Sequence, residues 1–381
     1  MQIYSGHDLP KGRHKMKSRA QLCGRDLMIG AALVAMVTAT LTPVAGQVVP
    51  SDYNLGAGTP TIKIDGNVLG PGTAISANPA VTTSNASAMT VVLNNNATII
   101  NWDSFDVSAG KSVDFSSALA SPSVLNRVQG GNVSQIFGSI TAPGISLWLI
   151  NNNGILFGPT GSFSGGSLIL STANGFAGKG IQDTDFLNTD GSPGSFSIQG
   201  ATSSPITLTG GVGSGQIIAP GGFVTIAQAI DNGKTIDVTG AGEVALVAAQ
   251  NVTLDFTPGS PLGVTIIAGS TVTVPAAITS SGKINNAASI TIKADSVSAN
   301  AQLINISGDL TATNSGGKIT IDSSFGNGVT VSGNVTSAGD YTVTGGSVTL
   351  GAPGATVTQK AQGKVDIQAA AGDVTGLGTL T

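Results

Sequence analysis

LNNNATIINWDSFDVSAGKSVDFSSALASPSVLNRVQGGNVSQIFGSITAPGISLWLINNNGILFGPTGSFSGGSLILST, residues 93–172, decides the fold. Apolar residues alternate with Ser, Thr and Asn in short runs, and Gly, Asn, Pro or Ser clusters interrupt them about every ten residues. No helical period survives. Ile145-Ser-Leu-Trp-Leu-Ile150 ends at Asn151-Asn-Asn-Gly154. Asn and Gly tolerate left-handed backbone angles, so that sequence predicts a sharp corner between two strands. Stacked corners of this kind place Asn amides where they hydrogen-bond along the stack.

The same texture continues outward. Phe223-Val-Thr-Ile226, Ser289-Ile-Thr-Ile-Lys293 and Lys318-Ile-Thr-Ile-Asp322 alternate β-branched and polar residues, as a half-buried strand requires. This order, with 40% hydrophobic residues, argues against a disordered tract despite the abundance of Gly, Ser and Thr. Ser164–Asn188 is less regular, and within it Gly175-Phe-Ala-Gly-Lys-Gly180 followed by Asp183, Asp185 and Phe186 reads as a protruding loop with a short helical turn. From Gly221 to Leu254 the pattern returns, with Asn251-Val-Thr-Leu254 as its last run. In 256–381 strand-like runs begin near Val264, Thr271, Ile290, Leu303, Lys318, Val329, Tyr341, Val348, Thr356 and Val365. Two or three such runs make one coil of a right-handed parallel β-helix. The expected fold is all-β: a solenoid on the order of 70–80 Å long, with coils of about 20 residues. Residues 256–381 are read as continuing repeats of it, truncated at Thr381.

Upstream, 47–92 reads as an N-terminal capping region. Thr61-Ile-Lys-Ile-Asp65-Gly66 gives a strand and a turn, and Ala88–Leu93 a second strand. Without a cap the first coil would present open edges. Residues 1–46 read as an export signal. Lys11, Arg13, Lys15, Lys17, Arg19 and Arg25 precede an apolar run from Leu27 to Leu41, and Val44-Ala45-Gly46 offers a cleavage point before Gln47. The run is shorter than the roughly 20 residues that span a bilayer. Met16 is a second candidate start.

Removing that segment removes His7, His14 and Cys23, and with them every histidine and cysteine. Six of the 16 Lys and Arg and two of the 20 Asp and Glu also lie in it, which leaves a formal charge of −8. A chain so poor in basic residues has no electrostatic footprint for nucleic acid. Without cysteines its stability in an oxidising compartment rests on packing and backbone pairing. No Ser-His-Asp, metal-ligand or phosphate-loop constellation exists, and the Asp residues are thinly spread, so the chain reads as no enzyme and needs no cofactor. The acidic trio Asp103, Asp106 and Asp114 fits no calcium loop and is expected as solvated loop carboxylates. Trp102 and Trp148 are expected in core or cap packing. Arg127 reads as a surface residue or the partner of an Asp.

Three ordered segments resemble the secretion domain of two-partner-secretion exoproteins, also called the haemagglutination activity domain of filamentous haemagglutinin-like proteins. The first runs Asn101-Trp-Asp-Ser-Phe-Asp-Val107 to Gly110 and Val113-Asp-Phe115. The second is Leu125-Asn-Arg-Val128 with Gly130-Gly-Asn132 and Ser134-Gln-Ile-Phe-Gly138. The third is Leu149-Ile-Asn-Asn-Asn-Gly-Ile-Leu-Phe-Gly158. Asn152 and Val133 stand where the family usually carries Pro. The resemblance implies a secretion domain at 47–255 and recognition by a dedicated outer-membrane transporter. It implies a secretion motif at Asn126, Arg127, Asn132, Gln135, Gly138, Asn151, Asn152, Asn153, Gly154 and Ile155. For Asn151–Asn153 a purely structural corner and a recognition or early-folding element both stand. The implied product is a secreted, monomeric exoprotein with an adhesin-like role towards a receptor on a host or neighbouring cell. The alternatives are a polysaccharide-acting β-helix, or the passenger of a self-transporting protein, whose C-terminal barrel this sequence does not contain.

Overall fold

The computed structural model describes residues 88–102, 104–173, 201–239, 242–255 and 327–380, most of 277–323, the strands at 62–64, 67–68, 80–85, 195–198 and 263–266, and Phe186. Contacts divide the chain into residues 1–42 and 43–381, and everything described lies in the second unit. The segment read as an export signal, with its expected Gly46–Gln47 junction, Asp103 and most of Gly175–Asn188 lie outside the described residues.

The alternating runs become stacked parallel strands on three faces. On the first face one column of inward residues runs Met89, Val113, Ile140, Phe163, Ile217, Ile236, Ile284, Leu310 and Val335. On the third face the column runs Ser134, Ile155, Ile206, Ile230, Ile278, Ile304, Val329 and Val348. Nearly all are aliphatic and buried in one continuous core. Each inward aliphatic contributes about 1.5–3 kcal/mol before the opposing chain entropy. The first and second faces join into a 21-stranded sheet, because Ser139–Ile150 and Ser162–Ser171 bend across the corner between them without breaking. Gly144, at φ 69°, makes that bend after Pro143. The third face is a separate 9-stranded sheet. The result is a parallel β-helix, and connections between parallel strands run right-handed.

The cap forms as expected. Ile62–Ile64 pairs antiparallel with Ala97–Trp102, the first strand of the second face, and Ala80–Asn85 pairs antiparallel with Ala88–Leu93, the first of the first face. These strands close edges that would otherwise template aggregation.

Three expectations are corrected. Ser164–Ser171 is regular and belongs to a strand. Val252–Asp255 and Gly263–Ile266, read as solenoid runs, leave the solenoid instead. They form an antiparallel three-stranded sheet with Ser195–Ile198. Val252 and Leu254 bury against the outer surface, not the lumen. The alternation of an outer-layer strand is the same as that of a solenoid strand, so the sequence pattern does not separate them. The stack is consequently shorter than expected. Ten strands of the second face, from Ile99 to Asp366, are separated by steps of about 4.8 Å, roughly 43 Å in all.

The second face explains what the outer sheet covers. Its outward column runs Ile99, Leu125, Trp148, Ile169, Val224 and Ala245, then changes to Thr291, Thr320, Thr342 and Asp366. The next outward column changes at the same step, from Val247 to Lys293. The apolar part forms a second core with Phe186, Ile198, Val252 and Leu254. Beyond it the face is polar.

Candidate functional site

The Asn-rich corner joins the second face to the third. Ile150 ends one strand and Ile155 begins the next. The Gly154 amide donates to Asn151 O (3.1 Å), which closes a four-residue turn with Asn152 and Asn153 at its centre. Asn151 Oδ1 accepts from the Asn153 amide (2.9 Å) and from Asn153 Nδ2 (3.1 Å). A side chain bonding two residues along its own backbone is what makes Asn a turn former. Gly154 sits at φ 108°, and a Cβ there would lie 3.0 Å from Pro205 O.

The corner also ties three coils together. Towards the preceding coil, the fully buried Asn151 donates Nδ2 to Asn132 O (2.9 Å) and Ser134 Oγ (3.0 Å), and Asn153 Nδ2 donates to Gly130 O (2.7 Å). Towards the following coil, the Asn151 amide donates to Ser171 O (2.9 Å), the Ile155 amide to Pro205 O (3.1 Å), and Thr202 Oγ1 to Asn152 O. The expected amide-to-amide ladder of Asn side chains is therefore not what forms. Asn151 reaches a carbonyl and a hydroxyl in the coil below, and Asn232 likewise donates to Ser280 Oγ (3.1 Å). Serine is shorter than Asn and fits where the core column passes.

The other segments fall in neighbouring places. Asn126 is inside the core, in the inward column between Ile100 and Leu149. It accepts from Trp102 Nε1 (3.0 Å) and donates to Trp148 O (3.1 Å). Arg127 is half-buried on the outer side of the same strand, between Asn101 and Ile150. Asn132 is exposed, and only its carbonyl meets the corner. The Gln135 amide donates to Asp106 Oδ1 (2.8 Å). Gly138 is held to Val107 O (2.8 Å), and a Cβ there would lie 2.2 Å from Lys111 O. So Asn132, Asn151, Asn152, Asn153 and Gly154 share one corner. Gln135 and Gly138 brace the next one, and Asn126 and Arg127 lie on the second face.

The Asp residues need correcting. Asp114 lies in the strand Ser112–Ser117 and accepts from Ser112 Oγ (3.0 Å) and Thr141 Oγ1 (2.5 Å). Asp106 is half-buried, and desolvation pushes its carboxyl above the usual range, partly offset by the Gln135 N–H. Neither is a freely solvated loop carboxylate. Trp102 and Trp148 are buried as expected, edge-on to Phe105 and Phe186 respectively. Among the described residues no three His, Cys, Asp or Glu side chains are placed to hold a metal.

Sequence reasoning missed Lys234. It is fully buried, and its ammonium donates to Pro159 O (3.1 Å) and Gly215 O (3.0 Å), with its own amide on Asn232 Oδ1 (3.1 Å). Desolvation pulls its pKa down to about 8. An isolated Lys after Asn-Gly gives no sequence sign of this.

The model of the TPS secretion domain matches residues 67–260, half of the chain. The chain belongs to the TPS secretion domain family. Curated relatives of this TPS protein include two heme/hemopexin-binding proteins of Haemophilus influenzae. One is 28% identical over 174 residues, 45% of this chain and 18% of the relative. The other is 34% identical over 87 residues, 23% and 9%. The matched stretch thus spans under a fifth of either relative. Among solved structures, the HMW1 secretion domain from Haemophilus influenzae aligns over 76% of this chain and 74% of its own, at 22% identity and a TM-score of 0.49. A filamentous hemagglutinin secretion domain aligns over 80% and 95%, at 14% identity and 0.46.

Proposed function

We propose that this TPS protein is an exoprotein whose signal peptide is removed between Gly46 and Gln47 and whose corner at Asn151–Ile155 is the determinant of outer-membrane passage. It works as a monomer, without cofactor or catalysis, and ends outside the cell in an adhesin-like role towards a cell-surface receptor. One observation carries the reading. Asn126, Gly138, Asn151, Gly154 and Ile155 are buried, and the hydrogen bonds of Asn151 and Asn153 run to neighbouring coils. Residues with so little free surface act while the coils close. A coil that has closed outside the cell cannot slide back, so the corner converts folding into directed movement.

For the haem half of the relatives' name, heme/hemopexin-binding, the described residues offer no accessible iron ligand of the usual kinds. Haem iron takes His, Cys, Met or Tyr as protein ligand. Residues 47–381 contain no His or Cys. Among the described residues, Met89 and Tyr341 are the only Met and Tyr, and both are buried. Adhesion suits the polar outer columns better than iron capture.

The test is localisation of the double variant Asn151→Ala/Asn153→Ala co-expressed with the transporter. The expected result is normal passage of the inner membrane, accumulation in the periplasm, and loss of the extracellular product. Release at the wild-type level would remove the assignment of this corner.

A further inference from the structure

The corner contains an Asn-Gly pair, Asn153-Gly154. A glycine has no side chain to shield its amide nitrogen, so in a free chain that nitrogen reaches the Cγ of the preceding Asn. The folded corner occupies both reacting groups. Asn153 Nδ2, the nitrogen that would leave, donates to Gly130 O (2.7 Å) and Asn151 Oδ1 (3.1 Å). The Gly154 amide, the nitrogen that would attack, donates to Asn151 O (3.1 Å). Gly154 O accepts from the Ser134 amide (3.1 Å), and the next amide, of Ile155, is held by Pro205 O (3.1 Å). Gly130, Ser134 and Pro205 come from neighbouring coils, so an unwound chain lacks them. The surroundings of Nδ2 also decide what a reacted chain can do. Gly130 O and Asn151 Oδ1 accept hydrogen bonds and donate none. Asn151 cannot turn its amide round without losing Asn132 O and Ser134 Oγ. A carboxylate in place of the Asn153 amide sets a third acceptor against these two, with no donor between them.

We propose that Asn153 is a deamidation site that is open in the unwound chain, closed in the wound one, and incompatible with winding once it has reacted. The Gly154 nitrogen loses its proton and bonds to Asn153 Cγ, the Cγ–Nδ2 bond breaks, and ammonia leaves. Water then opens the succinimide at either carbonyl. One opening gives aspartate, whose charge faces two oxygens. The other gives isoaspartate, whose additional backbone carbon lengthens the four-residue turn closed by Gly154 and Asn151. In the cell the consequence rests on the reading of this corner as the export determinant: the pair limits how long a chain can wait unwound and still leave.

The full chain tests this when it is incubated folded and in urea, at one mildly alkaline pH and one temperature, with residue 153 followed by peptide mapping. Conversion to aspartate and isoaspartate is expected in urea, and about tenfold or more slowly in the folded chain, where reaction waits for the corner to open. The aged urea sample is then refolded and treated with protease. The resistant pool should retain Asn153, and the digested pool should hold the converted residue. Asn153→Asp, made directly, should yield little resistant chain. Equal rates in the two states overturn the proposal. So does the same share of converted residue in both pools, or an Asn153→Asp chain that refolds like the wild type. None of these measurements contains a transporter. A failure of the export reading leaves them unchanged, and their failure leaves the export reading standing.

Discussion

Trp102 and Asn126 meet inside the core: the indole Nε1 donates to Asn126 Oδ1 at 3.0 Å, one rung apart on the second face. Asn126 sits in an inward column that runs Ile100, Asn126, Leu149, Leu170 and then Thr225. Both ends of its amide are bonded, with Nδ2 on Trp148 O. A buried polar residue with two directed bonds fixes the rung on which it sits, because a slip by one residue turns every side chain to the other face.

Replacing Asn126 with Leu therefore removes the buried acceptor of the Trp102 Nε1 hydrogen bond. A loss of about 1–3 kcal/mol is expected, read by chemical denaturation. Trp102→Phe in the Asn126→Leu background should cost less than in the wild type, because the bond is already gone.

Asn152→Pro is expected to stabilise. Asn152 holds the second position of the turn closed by Gly154 and Asn151, where Pro is favoured. Its side-chain Oδ1 is buried without a partner. The gain should be about 0.4–1 kcal/mol, through the smaller freedom of the unfolded chain and removal of the orphaned acceptor. Thermal melting checks it.

A glycine column is expected to be intolerant. A Cβ at Gly308 would lie 2.0 Å from Gly282 O, and one at Gly333 would lie 2.0 Å from Gly308 O. Gly308→Ala should cost several times more than Gly354→Ala, where φ is 72° but the space is open and about 1 kcal/mol of backbone strain is the only penalty. Paired denaturation curves decide it.

Two buried groups set the alkaline behaviour. Lys234 titrates near 8 in the folded chain, below the ordinary lysine value of 10.5, so the unfolded chain holds more protons between those values. Stability should rise as pH goes from about 8 towards 10. Burial pushes the Tyr341 hydroxyl above its ordinary 10.0, so the folded chain retains a proton that the unfolded chain loses. Above about pH 10 stability should fall. Lys234→Met should remove the rise and leave the fall, in denaturation midpoints followed against pH.

Much of this was legible. Alternation with β-branched residues gave the strands, and the Asn-Asn-Asn-Gly run gave the corner. The outer sheet was not, because Val252 and Leu254 alternate as solenoid residues do while packing against the opposite side of the wall. Asn126 was assigned from resemblance, and its place inside the core follows only from the register with Ile100 and Leu149. One signal was present and unread. Ser281-Gly282, Ser307-Gly308 and Ser332-Gly333 recur at one corner of successive coils, each glycine close against the carbonyl of the turn before.

The most direct measurement is the amount of this chain in the medium and the periplasm of cells that do or do not carry the matching transporter. The account predicts release with it, and retention as a protease-sensitive periplasmic chain without it. Equal release in both cells, or none in either, would contradict it.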